Sequence, residues 1–282
     1  MKNRELEIHQ CISQQMVGLL ESGIVPWHTT WKEVPSNLLT KRPYRGINVL
    51  LLAAKEYDRN YFLTESQIER VGAYVYKGQK PHVIVDGIGF RSLRPYEVYN
   101  IEQCGDIPKI LVPRCPQQNS PIENCKKIVE GMDHCPRLIH EHEYPYYDLS
   151  EDVINMPPMS YIESREEYFA IFFKQIAAST KHPMRLGMPN FSPFKGLYPD
   201  ASAMEDLVVE IGAWYLRSHV GIEGKQHFDN CNIQYWIGMF KKNLRLAFEA
   251  SEMAQEVVEY ILGQSFDEKE AIDYVEDEML PF

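Results

Sequence analysis

The charge of this chain divides unevenly along its length, and that division limits what it can fold into. Residues 1–112 carry 14 Lys and Arg against 12 Asp and Glu, a net of +2, while the other 170 residues carry 15 against 28, a net of −13. Between the two runs Arg114-Cys115-Pro116-Gln117-Gln118-Asn119-Ser120-Pro121, polar and bounded by prolines, which reads as a linker. Stretches of such different charge have different tasks, and 282 residues suit two ordinary domains better than one. The expected organisation is a first domain over 1–112, a linker over 113–120 and a second domain over 121–264. An acidic tail follows over 265–282, with seven acidic residues and one lysine. Only the first domain could approach a phosphate backbone without strong repulsion.

Several classes of protein are set aside by composition. The longest apolar run, Ile47 to Ala54, is interrupted by Asn48 and falls far short of the roughly 20 residues of a spanning helix. The mixed-charge start Met1-Lys2-Asn3-Arg4-Glu5-Leu6-Glu7 lacks the apolar core of a signal peptide, so a cytosolic protein without a membrane partner is expected. Cys104, Cys115, Cys125 and Cys135 recur about every ten residues with no Cys-x-x-Cys pair, which argues for reduced thiols and against a structural zinc. His134, His140 and His142 have no ligand spacing either, and no cofactor is expected.

The periodicity predicts an α+β chain. Ile8, Ile12, Met16, Leu19 and Leu20 predict a helix over 5–22 stopped by Gly23, and a second helix spans 47–57. Thr64-Glu65-Ser66-Gln67 reads as a capping box opening a third, which ends at Gly72. Short strands are expected at Val75-Tyr76, His82 to Asp86 and Tyr96 to Asn100. Beyond the linker the pattern is mainly helical: from the Ser164-Arg165-Glu166-Glu167 box to Lys181, then over 201–218, 230–241 and 243–263.

Residues 26–103 interleave aromatic and basic side chains, the two ingredients of a single-strand binder: bases stack on rings while Lys and Arg track phosphates. Trp27, Trp31, Lys41, Arg42, Tyr44, Arg45, Asn48, Lys77 and Lys80 are the candidate DNA contacts. Arg45 can fork onto phosphate, beside a glycine that admits close approach. Asn48 is placed either to cap a helix or to touch DNA, and the same aromatics would also serve a core.

The run Val25-Pro26-Trp27 to Trp31, with Pro35-Ser36-Asn37 and Tyr44-Arg45-Gly46-Ile47-Asn48, resembles the N-terminal domain of ArdC antirestriction proteins, shared with TraC-type plasmid primases. The resemblance continues through Tyr76-Lys77-Gly78-Gln79-Lys80 and Val98-Tyr99-Asn100-Ile101-Glu102-Gln103. It implies single-stranded DNA binding on a bacterial mobile element. Tyr146-Tyr147-Asp148, Asp152 to Pro157 and Ser202 to Leu216 resemble the family's zincin-like metallopeptidase domain, a mainly helical unit.

Family members place a His-Glu-x-x-His helix between those landmarks; this chain reads Lys174-Gln175-Ile176-Ala177-Ala178. The chemistry needs two imidazoles on one helical face and a carboxylate base between them. An ammonium repels a metal, a methyl cannot bind one, and an amide is no base. His182 matches a family histidine but cannot make a site alone. Glu205, Asp206 and Glu210 compete for the place of the third ligand. The expectation is therefore a DNA-binding antirestriction-type protein whose peptidase-like domain is not an enzyme. Two rivals remain: a peptidase rebuilt from His182, His219 and the Glu205–Glu210 carboxylates, and an acidic inhibitor that binds a restriction enzyme. Lys174 is expected either to pair with one of the three carboxylates or to extend into solvent.

Overall fold

The computed structural model describes residues 2–29, 31–86, 93–114, 120–187, 201–222 and 230–265. The fold is mixed α and β. Its elements in chain order are α1 (Lys2–Glu21), β1 (Ser36–Asn37), α2 (Gly46–Ala53), β2 (Tyr61–Leu63), α3 (Glu65–Arg70), β3 (Tyr74–Val75), β4 (His82–Asp86), β5 (Arg94–Asn100) and β6 (Cys104–Gly105). After these come α4 (Pro121–Gly131), β7 (Arg137–Ile139), β8 (Tyr146–Asp148), β9 (Val153–Asn155), α5 (Arg165–Ser179), α6 (Ala201–Val220), α7 (Asn230–Lys242) and α8 (Leu246–Leu262). Among the described residues no helix is long and apolar enough to cross a membrane.

The described residues fall into two compact units: one from residues 1–117 and 229–248, the other from 118–228 and 249–265. Helix α7 thus groups with the first unit, whereas the sequence reading had it in 121–264. Most of the expected linker and tail, residues 115–119 and 266–282, lies outside the described residues.

In the first unit α1 buries Ile8, Ile12, Met16 and Leu20, each 5% exposed or less. It stops at Gly23, whose φ of +83° is the left-handed conformation a helix end needs, and Ile24 N donates back to Leu19 O at 2.9 Å. Helix α7 joins the unit through Ser13 Oγ, which donates to Phe240 O at 2.8 Å. The sheet runs β1-β2-β5-β4, with β1 parallel to β2 and the other pairs antiparallel; β3 and β6 form a separate ladder. The capping box at Thr64 forms as expected: Gln67 N donates to Thr64 Oγ1, and Gln67 Oε1 accepts from Thr64 N.

Helix α2 is buried along its whole length, and this explains a polar residue in its apolar sequence. Strand β4 is a sheet edge, so the outward-facing backbone groups of Val85 have no strand to pair with. The Asn48 amide fills the gap, donating to Val85 O at 2.7 Å and accepting from Val85 N at 3.0 Å. Helix and strand edge are sewn together by one side chain.

The second unit holds a small sheet, β7-β9-β8, which the sequence reading did not anticipate. Strands of three residues are too short for alternation to register. Helices α5, α6 and α8 pack closely because small residues meet: a Cβ on Gly212 would stand 3.3 Å from Val257 Cγ1 and 3.7 Å from Ala177 Cβ. At α5 Ser164 caps by accepting from Glu167 N at 3.0 Å. Glu167 reaches back to Glu163 N, one residue short of a true capping box.

Helix α8 also carries Glu249, 1% exposed, with neither carboxylate oxygen hydrogen-bonded. Burial pushes its carboxyl from 4.5 up to about 7. Between those two values the folded chain holds a proton that the unfolded chain has released, so this group costs stability as pH rises from about 4.5 to 7. Replacement by Gln removes that slope. Urea unfolding of wild type and Glu249→Gln should therefore diverge by up to about 3 kcal/mol between pH 4.5 and 8, in favour of the variant at the higher pH. A constant difference across this range would show that Glu249 is not buried as a carboxyl acid.

Candidate functional site

The candidate DNA contacts separate into two groups. Trp27 is fully buried, its ring edge-on to Trp236 and Phe240 at 5.9 and 6.2 Å. Tyr44 is 1% exposed and meets Phe62 edge-on, Trp31 is 6% exposed, and Asn48 is committed to Val85. These four are core residues, which corrects their assignment as contacts: a ring closed in on both faces offers nothing to a base. Arg42 and Arg45 are half-buried. Lys41 is exposed with a φ of +61°, and its ammonium donates to Leu111 O and lies 5.8 Å from the Tyr61 ring centre.

Lys77 and Lys80 are exposed, on the turn Tyr76-Lys77-Gly78-Gln79-Lys80. Gly78 supplies the φ of +89° this turn requires. Buried Gln103 pins it, its amide donating to Lys80 O at 2.9 Å and Gln79 Oε1 at 3.1 Å, while Tyr76 N donates to Gln103 O. Beside the lysines stand two exposed rings that the sequence reading did not single out. Tyr74 and Tyr76 are 52% and 46% exposed, their centres 5.7 Å apart and their planes nearly perpendicular. Tyr74 lies over Gly105, where an added Cβ would come within 2.4 Å of its ring. The signal was available: Tyr-Val-Tyr on an edge ladder sets both rings on one face.

In the second unit, Lys174 and Glu210 bring α5 and α6 together. The Lys174 ammonium donates to Glu210 Oε1, with the side chains 42% and 16% exposed. Of the three candidate carboxylates Glu210 is the one Lys174 meets. Glu205 instead takes Lys181 at 2.8 Å, and Asp206 is exposed. Two helical turns along from Glu210 sits Arg217, 4% exposed; burial lowers its pKa, and the Glu210 charge works the other way. Gln175 and Ala178 are half-buried on α5, His182 Nδ1 accepts from Met184 N at 3.2 Å, and His219 is exposed. The end of α5 is fixed by Arg185, also not singled out beforehand. Its enclosed guanidinium donates to Ser179 O at 2.7 Å, His134 O at 2.6 Å, Tyr147 Oη at 2.9 Å and Asp152. Burial and the hydrogen bond to Asp152 push the Tyr147 phenol up to about 12.

Comparison with known proteins matches both parts. Residues 6–101 fit the family model of the N-terminal domain of anti-restriction factor ArdC, and residues 132–253 fit that of the zincin-like metallopeptidases. Crystal structures of the antirestriction protein ArdC from plasmid R388 superpose with TM-scores of 0.70 (metal-free) and 0.72 (Mn(II)-bound). Identity to them is 25% and 26%, over 91% and 90% of this chain and 98% and 97% of theirs. An Escherichia coli DNA primase TraC is 24% identical over 93% of this chain. The chain spans only 27% of that primase's length. The uncharacterized protein y4eC of Sinorhizobium fredii is 22% identical, with 93% of each chain covered.

The residues here do not fit a zincin metal. The motif positions offer an ammonium, an amide and a methyl, and Glu210 is already engaged by the ammonium. Among the described residues no three His, Cys, Asp or Glu side chains gather to hold a cation. Lys174→Ala should lower stability by about 1–2 kcal/mol in urea unfolding of the full chain. That value lies between exposed and buried pairs, because Lys174 is partly exposed and Arg217 still faces Glu210. Adding Glu210→Gln should recover at most part of the loss, because it also removes the charge that offsets the burial of Arg217. A single variant as stable as wild type would show the pair to be a passive surface contact.

Proposed function

The chain belongs to the ArdC-type antirestriction family, carrying its two domains in order, and on that premise we propose that its first unit binds single-stranded DNA with little sequence preference. The observation that carries this reading is the pinned turn that sets Lys77 and Lys80 beside the exposed Tyr74 and Tyr76. Rings offer faces to any base, and ammonium groups follow a phosphate chain whatever its sequence. The names of the relatives, an antirestriction protein of a plasmid and DNA primases, agree with work on DNA of a mobile element. For the second unit we propose a zincin-like scaffold that hydrolyses no peptide, since Lys174, Gln175 and Ala178 supply neither metal ligands nor a base. A peptidase rebuilt from His182, His219 and the α6 carboxylates is disfavoured, because Glu205 and Glu210 are already paired with lysines.

Fluorescence anisotropy of the full chain with labelled oligothymidine, at several salt concentrations, tests the DNA reading. Binding should weaken steeply with salt and favour single over double strands. Tyr76→Ala should weaken it about tenfold at every salt concentration, within the range of one lost stacking contact. Lys77→Ala with Lys80→Ala should flatten the salt dependence by about 1.4 in log–log slope. Trp27, being enclosed, should matter only through folding. Unchanged affinity and slope in all three substitutions would move the interface off this turn.

A further inference from the structure

The second unit displays a cluster of rings that its fold does not need. His142, Tyr144 and Tyr146 stand mutually in contact: their centres are 5.7, 5.5 and 5.8 Å apart, and His142 and Tyr144 stack at 21°. They lie at the surface. His142 and Tyr144 are exposed, Tyr144 to 61%, and Tyr146 is half-buried. Exposed aromatic groups of this size on one loop mark interaction surfaces more often than accidents of packing.

The loop is held firmly. Asn155 on β9 is fully buried and spends all its hydrogen-bonding capacity on it. Its Oδ1 accepts from Glu141 N at 2.9 Å and His142 N at 3.1 Å, and its Nδ2 donates to His142 O at 3.0 Å and Tyr144 O at 2.7 Å. His140 Nδ1 adds a bond to Met156 O at 2.8 Å. A loop ordered in advance loses little freedom on binding.

Charge selects the partner. From residue 138 to residue 164 there is no Lys or Arg, and six acidic residues occur. Asp152 is taken by Arg185, but Glu141 and Glu143 flank His142 in sequence and are exposed. After burial and Tyr144, the charges of Glu141 and Asp148 also raise the Tyr146 phenol, so these carboxylates lie within electrostatic reach of the rings. A nucleic acid here would set phosphates against carboxylates. A guanidinium, by contrast, can lie flat on a ring and fork onto a carboxylate at its edge.

We propose that His142, Tyr144 and Tyr146, rimmed by Glu141 and Glu143, form a docking surface for an arginine-bearing segment of a partner protein. This does not depend on the DNA reading of the first unit, and one titration separates them. Labelled nona-arginine, nona-lysine and oligothymidine are each titrated with the full chain and with Tyr144→Ala and Tyr144→Phe, substitutions that leave net charge unchanged at an exposed side chain. Nona-arginine should bind more tightly than nona-lysine. Tyr144→Ala should weaken nona-arginine binding about tenfold, Tyr144→Phe should stay within about twofold of wild type, and oligothymidine affinity should not change. No binding of nona-arginine, equal affinity for nona-lysine, an alanine variant like wild type or a phenylalanine variant as weak as alanine would each overturn the proposal. So would an effect of Tyr144→Ala on oligothymidine in place of the peptide, which would make the surface a nucleic-acid contact.

Discussion

In the second unit an ion pair, Lys174 with Glu210, joins α5 to α6. A carboxylate partly enclosed on α6 beside α5 is stabilised by a positive charge nearby. Lys174 supplies that charge from α5, and Glu210, the most enclosed of the three candidate carboxylates, receives it. The helices can stay close because Ala177 and Gly212 leave room for one another and for Val257. Arg185 then ties the end of α5 to Tyr147 and Asp152, next to and on the short sheet's connections. The helix pair thus keeps its packing with an ammonium, an amide and a methyl at positions 174, 175 and 178.

The first unit is held by polar residues put to structural use. Asn48 supplies the hydrogen bonds that the open edge of β4 would lack, and Gln103 does the same for the Lys77–Lys80 turn. Each is buried and satisfied, so each fixes a geometry as well as adding stability. The result is one unit with a rigid turn carrying lysines and tyrosines, and another with a rigid loop carrying tyrosines and carboxylates. The uneven charge of the sequence thus has local counterparts on the two surfaces.

How much of this was legible depends on the range over which each signal acts. Helix stops at Gly23 and Gly72 and the Thr64–Gln67 box rest on neighbours in sequence, and they form as expected. For Lys174 the sequence left pairing and extension into solvent both open, and the structure has the pair, with Glu210. Trp27, Trp31, Tyr44 and Asn48 misled, since an aromatic or amide side chain serves a core and a binding face equally well until its neighbours are known. Strands β7 to β9 are too short to show a period. The grouping of α7 with α1 depends on contacts across more than 200 residues, such as Ser13 with Phe240, which no local pattern encodes.

With its ammonium on Glu210, Lys174 should leave no room for a metal between α5 and α6. Isothermal titration of Zn(II) and Mn(II) into the metal-stripped full chain, alongside the triple variant Lys174→His, Gln175→Glu and Ala178→His, tests it most directly. Wild type should bind neither metal stoichiometrically, and the variant should recover binding that Glu210→Gln abolishes again. One equivalent of metal held by the wild-type chain, and lost on Glu210→Gln, would contradict it.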